Sequence, residues 1–326
     1  MQDLSFLCLF HPLTEVYLDD DQNFLNTIKF AFRRKKIDTF TSPLVLSEVL
    51  AKEVEPIEKV LHFSSMAEAD SFEQRRINFS ILDLHKLIYD KRRFTFKAIA
   101  VVDYNMPEMN GLEFCEQIKD RNIYKILLTA NQDKDIAIEA FNDGIIDKFI
   151  MKQVRELFPR LEIALAQLKE RYFNDLTKPL LRGLGDEINA LVNDAEFLTL
   201  CENTYRQAKA VEYYLMDKSG SYLFLDENAE PTWLIIRNEK DFEEHLQMLQ
   251  GLDANASLLN EIKNRRKLLF LLSENEYKKP VEQWSQHLFK CQRLKNSNTY
   301  FAIVKGKISD AIAWDRIEPF RDALIK

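Results

Sequence analysis

Hydrophobic positions follow two regimes along the chain. In the first half, short apolar runs end in acidic or polar residues, and stretches with apolar spacing near 3.6 follow them. Glu15-Val-Tyr-Leu18 runs into Asp19-Asp20-Asp21, and Phe24, Leu25, Ile28 and Phe32 then share one helical face. A second strand is expected at Asp38–Phe40, with a helix over Leu44–Val54 that stops near Pro56, because the residue before a proline is pushed out of helical geometry. Residues 57–92 read as an insertion with a helix at Ile81–Tyr89. Ala98-Ile-Ala-Val-Val102 has no polar alternation and reads as a strand buried on both faces, ending at Asp103. A helix over Leu112–Lys119, a strand at Lys125–Leu128, a helix over Asp133–Asn142 and a strand at Lys148–Met151 follow. A long stripe of Leu157, Leu161, Leu165, Leu168 and Tyr172 comes next, with Pro159 in its first turn. Strands alternating with helices over short connections predict a doubly wound parallel sheet of five strands.

The second half is patterned differently. Residues 179–210 read as helical. Glu212–Met216, Ser221–Leu225 and Thr232–Arg237 read as three strands joined by turn chemistry. Helices at Lys240–Gln250 and Ala254–Lys263, strands at Lys267–Leu272 and Tyr300–Val304, and a last helix at Asp315–Ile325 complete an α+β domain with an antiparallel sheet. The expected domains are therefore 1–172, carrying the insertion at about 55–95 and an extended last helix, and 173–326.

Composition changes this picture only by exclusion. The 326 residues are 46% hydrophobic and 30% charged with a net charge of −7, which suits folded domains and not a globally basic nucleic-acid binder. No apolar run has the length of a membrane span, and the N-terminal stretch lacks the basic flank of a signal peptide, so a cytoplasmic protein is expected. The four cysteines are scattered without metal spacing and read as reduced thiols. The second half has a slight acidic excess, yet Lys263, Arg265, Arg266, Lys267, Lys278, Lys279, Lys290, Arg293 and Lys295 form a basic band over 263–295. No helix-turn-helix, nucleotide-cyclase, phosphodiesterase or phosphate-cradle motif is visible, so no enzymatic output is expected.

The candidate chemistry gathers where strands end. In an open parallel sheet, ligands bind beyond the carboxyl ends of the strands. Four such ends carry Asp19 and Asp20, then Asp103, then Thr129, then Lys152. Crowded carboxylates need neutralising, and a hard divalent cation such as Mg²⁺ and a lysine ammonium both serve. Such a pocket suits phosphoryl transfer, with one carboxylate attacking.

Asp19-Asp20, Asp103-Tyr-Asn-Met-Pro-Glu-Met-Asn-Gly111, Leu128-Thr129-Ala130 and Phe149-Ile-Met-Lys152 together resemble the receiver domain of bacterial two-component response regulators, over residues 14–172. The resemblance implies a flavodoxin-like fold. It implies Asp103 as the phosphoryl acceptor from a sensor histidine kinase, and Asp20 and Asp103 as direct Mg²⁺ ligands with the Asn105 carbonyl, Asp19 acting through water. It also implies Thr129 as the switch hydroxyl, Phe149 as the switch aromatic and Lys152 as the phosphoryl-binding lysine. The stripe Leu157, Leu161, Leu165 and Leu168 supplies apolar area beside that switch face, so a homodimer formed on phosphorylation is expected. The phrase Glu212–Leu223 is similar to the output region of Legionella-type quorum-sensing regulators.

This chain departs from the family twice. Gln153 stands where the family usually has proline, and a non-proline cis bond costs roughly 3 kcal/mol or more, so a trans bond is expected after Lys152. Asp20 and Asp103 are 83 positions apart, about twice the usual separation. The sequence thus points to a phosphorylation-controlled response regulator with a non-classical output domain. Two alternatives stay open for that domain: DNA binding through the band 263–295, or binding of a nucleotide or other small ligand.

Overall fold

A computed structural model describes residues 6–53, 55–56, 81–119, 121–130 and 133–325. Most of the segment read as an insertion, 57–80, lies outside the described residues. The chain forms two compact units. One comprises Pro12–Glu58, Lys91–Leu176 and Ala323–Lys326, the other Met1–His11, Lys59–Asp90 and Thr177–Asp322. A single cut at 172 therefore differs from the observed grouping. Two segments early in the chain join the later unit by pairing that is distant in sequence. Strand β1 (Leu9–Phe10) runs antiparallel to β7 (Ala210–Leu215), with Leu9 opposite Tyr214. Helix α3 (Ile81–Leu87) packs on β7, and His85 Nε2 donates to the Met216 carbonyl at 3.1 Å.

In the first unit, β2 (Glu15–Leu18), β3 (Ile37–Phe40), β4 (Ile99–Asp103), β5 (Tyr124–Thr129) and β6 (Lys148–Met151) form a parallel sheet in the order β3-β2-β4-β5-β6. This is the flavodoxin-like order expected from the sequence. Helices α1 (Gln22–Ala31), α2 (Pro43–Ala51), α4 (Gly111–Gln117) and α5 (Lys134–Asn142) connect the strands. Every residue of β4 and β5 is buried, which is why their sequences show no alternation. Val16, Leu18, Ala100, Val102, Phe114 and Leu127 belong to one core. Helix α6 (Leu157–Leu184) begins in this unit, and its stripe of Leu161, Leu165, Leu168 and Tyr172 is at most 2% exposed.

The second unit holds a six-stranded sheet in the order β1-β7-β8-β9-β13-β12. Its remaining strands are β8 (Tyr222–Asp226), β9 (Pro231–Asn238), β12 (Gln292–Arg293) and β13 (Thr299–Lys305), all paired antiparallel. A separate pair joins β10 (Lys267–Leu269) to β11 (Leu288–Lys290). The helical stretch expected over 179–210 is broken into the end of α6, α7 (Asp186–Leu191) and α8 (Ala195–Ala208). Gly185 at φ +101° makes the first break in a conformation that L side chains rarely adopt. Helices α9 (Glu239–Gly251), α10 (Ala256–Lys263) and α11 (Glu274–Tyr277) follow, and the last helix, α12, begins at Phe320 rather than Asp315. No helix among the described residues is long and apolar enough to cross a membrane.

Five cations of the basic band are occupied within this unit. Arg265 pairs with Glu239 at 2.5 Å, Arg266 and Lys267 with Glu261 at 4.0 and 3.6 Å, Lys278 with Glu274 at 3.4 Å, and Lys279 with Asp310 at 2.5 Å. That pairing dilutes the positive field that phosphate binding would draw on.

Candidate functional site

Strands β2 and β4 are neighbours, although β3 lies between them in sequence. Their carboxyl ends therefore border the crevice where the strand order reverses, the place at which open α/β sheets bind ligands. Asp19 and Asp20 follow β2, and Asp103 is the last residue of β4. One carboxylate oxygen from each of Asp19, Asp20 and Asp103 lies within 4.8 Å of the others.

The three-acid run after β2 divides its labour. The Asp19 side chain is 2% exposed, and its Oδ1 accepts the Asp21 backbone N–H at 3.0 Å. Asp20 is exposed. Asp21 caps α1 by accepting the Asn23 N–H at 2.8 Å.

Lys152 lies one residue past β6, where its backbone N–H donates to the Thr129 carbonyl at 2.9 Å. Its ammonium bridges two carboxylates, 2.6 Å from Asp19 Oδ2 and 2.9 Å from Asp103 Oδ1, and lies 4.7 Å from the Phe24 ring centroid. Burial pushes the Asp103 carboxyl up from its ordinary range, and the Asp19 and Asp20 charges add to that, while Lys152 opposes them. For Lys152, burial works against the charged form, but the two carboxylates outweigh it and the ammonium is held above its usual range.

The loop after Asp103 is fixed by its glycine. The Tyr104 N–H donates to the Leu128 carbonyl at 2.8 Å, and the Gly111 N–H to the Tyr104 carbonyl at 2.9 Å. A Cβ on Gly111 would stand 2.0 Å from the Asp103 carbonyl oxygen, so only glycine lets α4 start so close to the acceptor strand. Asn110 and Glu113 form a reciprocal capping box at that start, and Met106 is buried in the core below. Asn105 is exposed, and its amide donates to Asp133 at 3.3 Å.

Thr129 ends β5, and its hydroxyl donates to the Ala130 carbonyl at 3.1 Å. Phe149 is half-buried and packs against the core. It also lines a groove of about 440 Å³ with Phe141, Met151, Ile163 and Ala164. All described peptide bonds are trans.

The fold thus gathers Asp19, Asp20, Asp103 and Lys152 at one crevice, as the spacing of strand ends implied. The role of Phe24 beneath Lys152 was not legible, because in sequence Phe24 is one more residue of an apolar helical face. The donor set fits a hard divalent cation: three carboxylates lie within 4.8 Å of one another and the Lys152 ammonium pairs with two of them, which leaves negative charge to neutralise.

Residues 67–161 match the response regulator receiver domain family. The response regulator LqsR of Legionella pneumophila, a solved structure, is similar over 100% of this chain and 97% of that one, with 27% identity and a TM-score of 0.77. The cyclic di-GMP phosphodiesterase response regulator RpfG of Xanthomonas campestris pv. campestris (strain 8004) is 28% identical over 157 residues, which cover 47% of this chain and 40% of that protein. The chain thus matches less than half the length of this curated relative. With the parallel sheet in its flavodoxin-like order and the acidic crevice at its switch point, these likenesses agree that the chain carries a receiver domain similar to those of response regulators.

Proposed function

We propose that Asp103 accepts a phosphoryl group from the phosphohistidine of a sensor histidine kinase, and that this event controls the second unit. One observation carries the reading: Lys152 spans Asp19 and Asp103 while Asp20 stands within 4.8 Å of both. The ammonium engages Asp103 Oδ1 and opposes the burial that favours the neutral carboxyl, which leaves the other oxygen as the nucleophile. In the transfer the new O–P bond forms as the N–P bond breaks, and the imidazole leaves with the electron pair. Asp19, Asp20 and Asp103, with the Asn105 carbonyl, would hold Mg²⁺. Bound there, Mg²⁺ supplies positive charge for the phosphoryl oxygens.

The Thr129 hydroxyl then exchanges the Ala130 carbonyl for a phosphoryl oxygen, and Phe149 moves into the space this opens. That motion reshapes the groove beside α5, β6 and α6, where Phe141 (49% exposed) and Ile163 (57% exposed) offer apolar area to a second copy. The chemistry assigned to the chain is phosphoryl uptake and release only. A cytoplasmic location and a place in quorum-sensing signalling belong to the same reading. The second of these is supported by the resemblance of the 212–223 phrase.

Analytical ultracentrifugation with Mg²⁺ and beryllofluoride, a mimic of the acyl phosphate, tests the switch. A dimer that forms only with the mimic is expected. An identical sedimentation profile with and without it contradicts the reading.

A further inference from the structure

Lys152 carries its charge on a long, flexible stem, yet the proposed transfer needs that charge to stay on Asp103. Two carboxylates hold the ammonium, Asp19 at 2.6 Å and Asp103 at 2.9 Å. The lysine side chain is still 25% exposed, so water competes for it. Asp20 competes as well, because its carboxylate lies within 4.8 Å of the other two. An ammonium that swung to Asp20 would release Asp103 Oδ1 and occupy the carboxylate left for a cation.

The third contact of the ammonium is aromatic. Lys152 Nζ lies over the Phe24 ring, 4.7 Å from its centroid. The face of a phenyl ring is negative and attracts a cation within about 6 Å, more strongly where water is partly excluded. The ring is also neutral. It holds the ammonium without adding a charge to crowded carboxylates, as another acid would.

Phe24 is placed there by the acidic run that also builds the crevice. Asp21 caps α1 by accepting the Asn23 N–H at 2.8 Å, and its carbonyl accepts the Leu25 N–H at 3.1 Å. Leu25 and Ile28 are buried and anchor the helix. Phe24 stands half-buried in the first turn, between that cap and those anchors.

We propose that Phe24 is a positioning residue for phosphoryl uptake: its ring face keeps the Lys152 ammonium on Asp19 and Asp103 and away from Asp20. The role rests on the reading of Asp103 as the acceptor and acts through Lys152 alone.

Labelling of the full chain with acetyl phosphate and Mg²⁺ gives the rate, acetate leaving with the electron pair as the Asp103 O–P bond forms. Phe24→Leu should slow it about three- to tenfold, and Phe24→Tyr should keep it within about twofold. A ring-trifluorinated phenylalanine in place of Phe24 keeps the shape of the side chain and empties the ring face, so it should slow labelling as Phe24→Leu does. A packing role would not respond to the fluorines. A second readout needs neither metal nor phosphoryl donor. In the metal-free protein, the ring current should move the ε-methylene protons of Lys152 upfield of an ordinary lysine, and Phe24→Leu should return them.

A wild type that takes up no label overturns the acceptor reading and this role together. A wild type that labels at a rate indifferent to fluorination and to Phe24→Leu overturns the role of Phe24 alone. So do Lys152 protons without the upfield shift.

Discussion

Asp19, Asp20 and Asp21 are consecutive and chemically alike, yet one is buried against Lys152, one faces solvent and one caps a helix. Sequence spacing placed the run at a strand end, but the division among the three depends on which side chain meets Lys152, 133 residues away. Because Asp20 adds an exposed carboxylate to a pocket with a single ammonium, Mg²⁺ should raise the melting temperature of the wild type by binding the native state alone. Asp20→Asn should lose most of that rise, as thermal denaturation with and without Mg²⁺ will read. Gly111 is tested in another way. An alanine Cβ would meet the Asp103 backbone at 2.0 Å, and backbone at a sheet end yields little. Gly111→Ala should destabilise the protein by about 1–3 kcal/mol, measured as a lower denaturant midpoint.

Elements were most legible where burial is two-sided. Strands β4 and β5 announce themselves as apolar runs because helices cover both faces of the sheet. Strand β1 was missed because two residues carry no period, and its partner Tyr214 is over 200 positions away. The last helix was drawn too long because Trp314–Arg316 forms a short 3₁₀ turn with similar spacing. The leucine stripe of α6 was legible as a stripe, but not as to what it covers. Leu161, Leu165 and Leu168 are at most 2% exposed and so are not open to a second copy. Leu165→Glu should therefore unfold the protein by placing a charge in a core. Ile163, one helical step away and 57% exposed, should tolerate Glu. Ile163→Glu should keep the wild-type melting temperature and weaken the beryllofluoride-dependent dimer, both measurable on one preparation.

The whole molecule is a discontinuous assembly. Segments 6–11 and 81–90 complete the later unit, and no local pattern could announce that, since it depends on pairings across more than a hundred residues. The same burial has a consequence for pH. Burial pushes His85 down to about 4 and His245 down to about 3, while an unfolded histidine titrates near about 6.5. Between those values the unfolded chain binds more protons than the native one, so stability rises with pH across this window. The contribution is complete above about 6.5 and is lost as pH falls toward the folded values. From pH 6.5 to 5 each such histidine contributes up to about 2 kcal/mol. His85→Gln retains a donor for the Met216 carbonyl but cannot titrate. It should flatten the fall in melting temperature between pH 6.5 and 5.

The account turns on one carboxyl. Asp103 is the only one of the three acids that ends a strand, lies at the switch point and shares Lys152 with a buried neighbour. Incubating the full chain with Mg²⁺ and acetyl phosphate, followed by peptide mapping by mass spectrometry, tests this most directly. One phosphoryl group per chain on Asp103, absent from Asp103→Asn, is the predicted result. A label that persists in Asp103→Asn on another residue, or no label on the wild type, would contradict it.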